Sequence, residues 1–189
     1  IQERGPQQLA LGIDVDWRPE FRVNALPMYK LQRVSEEVDP VLEQEALGRE
    51  ILEALGFAVV GAAGYEAEDV IATLAENARG PVEILSGDRD TFDLVRDPHI
   101  KVLYPSKGGL EEVTESWIQA KYGIPGRSYG EFALLRGDPS DGLPGRPDRG
   151  DQPPPVPLAD DARKAALVEI PEMRLGSAVG EFAGALSGE

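Results

Sequence analysis

Four groups of carboxylates stand out along the chain: Asp14 with Asp16; Glu66, Glu68 and Asp69; Asp88 with Asp90; and Asp138 with Asp141. Carboxylates crowded together repel one another and hold their protons too tightly unless something positive lies among them. Hard divalent cations such as Mg²⁺ accept all-oxygen ligands of this kind and keep several waters. Two such ions about 4 Å apart can stabilise both the attacking and the leaving oxygen during phosphodiester cleavage. Each group also has a plainer use. Acidic residues in a first helical turn complement the helix dipole, Asp-x-Asp after a strand serves as turn and cap, and Asp among Gly and Pro is ordinary loop. The four together, at compatible places, are what point to metal chemistry.

Other chemistries have little to draw on. Cysteine is absent from the 189 residues, which excludes a disulfide scaffold, a thiolate zinc site and a Cys nucleophile. His99 is the single histidine, which argues against a His-based triad or a multi-His metal site. The net charge is −15, whereas nucleic-acid binders usually carry a basic footprint. Cations held among the carboxylates would invert the local field. The locally cationic stretch beside an acidic group is residues 17–33, where Arg18, Arg22, Lys30 and Arg33 alternate with Trp17, Phe21 and Tyr29. Lys30 and Arg33, three apart, suit one helical face meeting phosphates. The aromatics suit stacking on bases or, more plainly, a core.

The elements that must position these groups alternate. Residues 9–13 read as a buried strand ending at Asp14 and Asp16, and residues 57–60 and 82–85 as second and third strands. A helix begins with Asp39 as N-cap and Pro40 at its first position, carries Leu47, Ile51 and Leu55 at four-residue spacing, and stops at Gly56. A second helix over 66–78 has Val70, Ile71 and Leu74 on its apolar face. A short helix holds Phe92, Leu94 and Val95, and residues 100–103 form a fourth strand. Thr114 caps a helix to Tyr122 that Gly123 ends, and Ser128 with Glu131 has capping-box spacing for a helix to Arg136. Alternation of strand and helix predicts an α/β fold with a largely parallel central sheet and flanking helices. Ligands of such sheets bind outside the strand C-termini, where the acidic groups fall. The chain divides into residues 1–146, a Pro/Gly-rich linker over 147–158 and a helical tail over 159–189. No apolar run approaches the ~20 residues of a membrane span, and the first six residues hold no signal core, so the expectation is a cytoplasmic protein.

Five ordered motifs carry a resemblance: Phe21-Arg22, Pro27-x-Tyr29-Lys30-x-x-Arg33, residues 64–70, residues 86–90 and residues 137–145. They resemble the 5′-3′ exonuclease and flap endonuclease family, which includes the 5′-nuclease domain of bacterial DNA polymerase I and its stand-alone relatives. The likeness covers about residues 9–146. It implies a PIN-like 5′-nuclease fold and two Mg²⁺ or Mn²⁺ ions. It also implies DNA with 5′ ends or flaps as partner, cut by a metal-activated water. By the same likeness Asp14, Glu66, Glu68, Asp69, Asp88, Asp90, Asp138 and Asp141 are metal-site residues, with Asp16 a competing alignment for Asp14. Lys30 and Arg33 are the catalytic cations, and Arg22, Tyr29, Lys30 and Arg33 the nucleic-acid contacts. The sequence departs from the family in three ways. No apolar strand ending in Asp precedes the Asp14 region, Glu68 stands where Asp is usual, and a Pro-rich stretch replaces the duplex-gripping helix–turn–helix. These departures make a catalytically inactive remnant, binding metal or a partner, the alternative expectation. Another metal phosphodiesterase, such as a small ribonuclease, is a third.

Overall fold

The computed structural model of the chain describes residues 3–34, 40–143, 145 and 174–175, with side chains omitted at 40–43 and 174–175. Its elements run β1 (Ala10–Gly12), α1 (Glu20–Ala25), a 3₁₀ turn (Leu31–Arg33), α2 (Pro40–Ala54), β2 (Ala58–Gly61), α3 (Ala67–Asn77), β3 (Val82–Leu85), a 3₁₀ helix (Arg89–Leu94), β4 (Ile100–Ser106), β5 (Gly109–Val113), α4 (Glu115–Tyr122), a 3₁₀ turn (Gly126–Ser128), α5 (Tyr129–Arg136) and β6 (Arg174–Leu175). The α/β alternation is as the sequence predicts. The sheet is divided, however: among the described residues the orders are β1-β2-β6 and β3-β4-β5. β1–β2 and β3–β4 are parallel, while β5 and β6 add antiparallel edges. α3 packs against β1, β2 and β3, and so spans both sheets.

Local chemistry explains the elements. Thr114 accepts the Trp117 N–H at 3.2 Å and Gly123 closes α4 in the left-handed region at φ 70°, the N-cap and C-cap pairing that the sequence signals. Lys107-Gly108 turns β4 into β5, an antiparallel strand that alternation alone did not reveal. In α3, Val70 is buried and Ile71 and Leu74 half-buried, so the predicted apolar face is the packed one. In α2 the four-residue spacing marks the helix but not its inner side. Leu47, Ile51 and Leu55 are 51–69% exposed, while Gly48 and Leu52 line the cleft shared with Leu11, Ile13 and Val59.

The larger core lies on β3–β4–β5, with Phe92, Val102, Val113, Ile118, Tyr129 and Phe132 buried in one cluster. Phe92 meets Tyr104, Trp117 and Tyr129 edge-on at 5.2–5.5 Å, a geometry that adds to the burial free energy. The proposed cap Asp39, the linker and the tail lie outside the described residues, except Arg174–Leu175, which pairs with β2.

Candidate metal centre and its basic lip

The acidic groups converge because each sits at a strand exit or a helix start. Asp14 leaves β1 two residues after Gly12. A Cβ on Gly12 would lie 2.7 Å from Ile71 Cγ1 and 3.2 Å from the Ala67 carbonyl oxygen. Only glycine lets α3 approach β1 this closely. The approach brings the Ala67 N–H to 2.6 Å from Asp14 Oδ1, which accepts it. Asp16 turns away: its Oδ1 accepts the Arg18 N–H at 3.1 Å in a local turn, and it lines a separate shallow pocket with Phe21 and Tyr65.

Glu68 lies half-buried in the first turn of α3. Burial, followed by the negative charges of Asp14, Asp88 and Glu66, pushes its carboxyl up from the ordinary range. Asp88 caps the 3₁₀ helix by accepting the Asp90 N–H at 2.9 Å. The carboxylates of Asp90, Asp138 and Asp141 form a tight trio, with one oxygen of each lying within 4.8 Å of the others. Burial of the carboxyl, then the charges of Asp88, Asp138 and Asp141, push Asp90 up to about 6, although the residue as a whole is exposed; Arg136 opposes the shift. Burial acts the same way on Asp138, but the Ser140 hydroxyl at 2.6 Å and N–H at 2.7 Å outweigh it and hold Asp138 below the usual range. Asp88 acts on both Glu68 and Asp90, so the two subsets form one acidic edge.

A basic lip closes over this edge. Lys30 is buried, takes a left-handed backbone (φ 49°) unusual outside glycine, and pairs through Nζ with Glu66 Oε1. Its own N–H donates to the Asp141 carbonyl at 2.9 Å, and Nζ lies 4.0 Å from the Asp141 carboxylate. Arg33, 44% exposed, pairs with Asp141 at 2.8 Å. Gln32 and Arg33 also donate to the Ser140 carbonyl, at 2.7 and 3.0 Å. Gly142, at φ 72°, lies where a Cβ would meet Gln32 Oε1 at 2.9 Å and the Met28 carbonyl at 3.0 Å, so a side chain there would strain the backbone and push on these neighbours.

Of the residues singled out in the sequence, Asp14, Glu68, Asp88, Asp90, Asp138 and Asp141 share the edge, and Lys30 and Arg33 stand over it. Glu66 and Asp69 stand behind. Glu66 is 2% exposed and meets Tyr29, Arg22 and Lys30, while Asp69 is gripped by Arg22. Of the expected nucleic-acid contacts, Tyr29 is buried and Arg22 half-buried, both bonded to the carboxylates of the α3 start. Lys30 and Arg33 do not share one helical face, because Lys30 adopts the left-handed turn that precedes the 3₁₀ segment. Sequence reasoning passed over Arg136, whose charge acts on Asp90 and Asp138. Its position two residues before Asp138, at the end of α5, was the available signal.

The all-oxygen donors, and the burial and neighbouring carboxylates that together raise Asp90, fit a hard divalent cation.

Residues 1–123 match the profile of the 5′-3′ exonuclease, N-terminal resolvase-like domain. The chain is 44% identical to a 5′-3′ exonuclease of Streptomyces coelicolor across 93% of this chain and 64% of that protein. It is 43% identical to a 5′-3′ exonuclease of Mycobacterium tuberculosis across 80% of this chain and 54% of that one. It thus spans between about half and two-thirds of the length of these relatives. Its fold resembles that of the bacteriophage T5 flap endonuclease in a complex with DNA and metal ions, with a TM-score of 0.57 at 18% identity over 79% of this chain and 58% of that one.

Proposed function

Since the chain belongs to the family of 5′-3′ exonuclease N-terminal, resolvase-like domains, we propose that it serves a divalent-metal-dependent 5′ nuclease that hydrolyses DNA phosphodiesters at 5′ ends and flaps. The observation that carries this reading is the Asp90–Asp138–Asp141 trio, with oxygens within 4.8 Å of one another, directly beneath Lys30 and Arg33. Acid and base chemistry by a lone carboxylate would not need such crowding.

Asp90, Asp138 and Asp141 would hold one Mg²⁺ or Mn²⁺, and Asp14, Glu68 and Asp88 a second. When bound, such ions supply Lewis-acid stabilisation of the charge that builds on a phosphodiester under attack. The protein's own contribution is placement. The Ala67 N–H steers one oxygen of Asp14, and the Ser140 hydroxyl and amide keep Asp138 ionised. Arg33, the exposed cation of the lip, offers a planar fork to a phosphate. Lys30 holds its ammonium between Glu66 and Asp141, beside the carboxylates that would hold the cations, where it would face a phosphate bound there. A DNA substrate would go with a cytoplasmic location.

Incubating the chain with 5′-flap and 5′-recessed duplex DNA tests this reading. Cleavage should require Mg²⁺ or Mn²⁺, and Asp88→Asn should lower it by at least about 100-fold with no change in the circular dichroism spectrum. A melting temperature that rises with metal while no DNA is cut favours the non-catalytic metal-binding reading. Insensitivity to metal in both measurements rejects both.

A further inference from the structure

Arg22 stands apart in the basic segment in that carboxylates grip both of its terminal nitrogens. Its Nη1 and Nη2 lie 2.7 Å from Oδ2 and Oδ1 of Asp69, and Nη1 also lies 2.9 Å from Oε2 of Glu66. The guanidinium sits 4.9 Å over the Phe21 ring and 5.9 Å from the Tyr29 ring centre. Tyr29 Oη donates to the same Glu66 oxygen at 2.6 Å. Asp69, besides gripping Arg22, accepts the Glu66 N–H at 3.1 Å. Glu66 and Asp69 bracket Ala67 and Glu68, and Ala67 is the residue whose N–H orients Asp14.

We propose that Arg22, braced by Phe21 and assisted by Tyr29, is a positioning residue of the acidic edge rather than a phosphate contact. It locks Glu66 and Asp69, and through them holds the first turn of α3 where Glu68 faces Asp14 and Asp88. This role rests on the metal-dependent reading above and adds to it a residue that touches neither metal nor DNA.

Two physical roles for Arg22 make opposite predictions. As a mere counter-charge it repels incoming cations, so its removal should tighten metal binding. As a positioning group its removal frees Glu66 and Asp69, and binding should weaken; groups that orient metal ligands typically contribute 10–100-fold in affinity. Lysine separates the two, because it keeps the charge and loses the planar fork.

The experiment titrates Mn²⁺ alone into the chain and follows the electron paramagnetic resonance signal of free Mn²⁺. Wild type is compared with Arg22→Lys, Arg22→Ala and Tyr29→Phe, each checked by circular dichroism and thermal melting. Both Arg22 variants should bind Mn²⁺ about tenfold more weakly or worse, and Tyr29→Phe about fivefold more weakly, as for one lost hydrogen bond. Arg22→Lys binding like wild type, or Arg22→Ala binding more tightly, overturns the proposal. If the Arg22 variants do not fold, Tyr29→Phe decides alone, since it keeps the ring and its packing; unchanged affinity then overturns it. Wild type that takes up no Mn²⁺ defeats the metal-dependent reading itself, and the positioning role with it.

Discussion

Eleven buried side chains form one core around β3, β4 and β5, whereas three, Val60, Ala62 and Val70, form the separate cluster beside β1 and β2 among the described residues. The first region is held by aromatic edge contacts and apolar burial. The second is held largely by charge: Arg22 on Asp69 and Glu66, Lys30 on Glu66, and the Ala67 N–H on Asp14. Asp88, Asp90, Asp138 and Asp141 belong to the well-cored region, and Asp14, Glu66, Glu68 and Asp69 to the weakly cored one. The acidic edge is the seam between them. In the second region, the groups proposed to do chemistry also supply cohesion, so function and stability there are coupled as they are not around Phe92.

The contrast can be broken most directly by deleting one core side chain from each region. Phe92→Ala should destabilise the chain by about 3–5 kcal/mol, and Val60→Ala by about 2 kcal/mol, for two methyl groups removed. Denaturant melts of both variants measure this, and equal losses would mean that the regions are equally cored. Gly12→Ala sharpens the comparison at the seam. Forcing a Cβ against Ile71 and the Ala67 carbonyl should cost about 1–3 kcal/mol and loosen Asp14, so the same variant should also lose metal-induced gain in melting temperature. A melt unaffected by the substitution would show that α3 does not press on β1.

The last effect concerns pH. Asp90 is an acid whose folded value, about 6, lies above its ordinary 3.8. Between those values the folded state binds more protons than the unfolded one. Without metal, Asp90 therefore lowers stability as pH rises from about 4 to about 6. Asp90→Asn should flatten that part of the slope, and Mg²⁺ should reverse it by favouring the ionised form. Melting midpoints across this range, with and without metal, give the answer; a slope unchanged in Asp90→Asn would place the titration elsewhere.

Much of this was legible in local sequence. Thr114 and Gly123 bound α4, and the Val70, Ile71 and Leu74 periodicity found the inner face of α3, because caps and periodicity act within a few residues. The order of acidic motifs located the edge, because strand exits in a parallel pair all open to one side. What stayed hidden was tertiary. The four-residue spacing of Leu47, Ile51 and Leu55 marks a helix, but the side of α2 that lines the cleft with β2 carries Gly48 and Leu52. α1 escaped notice because its six residues alternate, with Phe21, Val23 and Ala25 apolar, and so show no helical period. The inward turn of Arg22 and Tyr29 depends on Glu66 and Asp69, some forty residues away, which no local pattern reports. Lys30 in the left-handed region is likewise a consequence of its hold on Glu66 and Asp141, since lysine has no intrinsic preference for it.

The latch between the basic lip and the acidic loop joins partners far apart in the chain: Arg33 and Asp141 are 108 residues apart. Closing a flexible loop of that length costs about 4 kcal/mol of chain entropy before any contact repays it. On the ribosome, at roughly 5–20 residues per second, Arg33 emerges about 5–20 s ahead of Asp141. During that interval a nascent chain carries its cations without the trio beneath them. The acidic trio thus becomes complete only once the Asp138–Asp141 turn has been made, and a translation product that stops short of that turn lacks two of its three carboxylates.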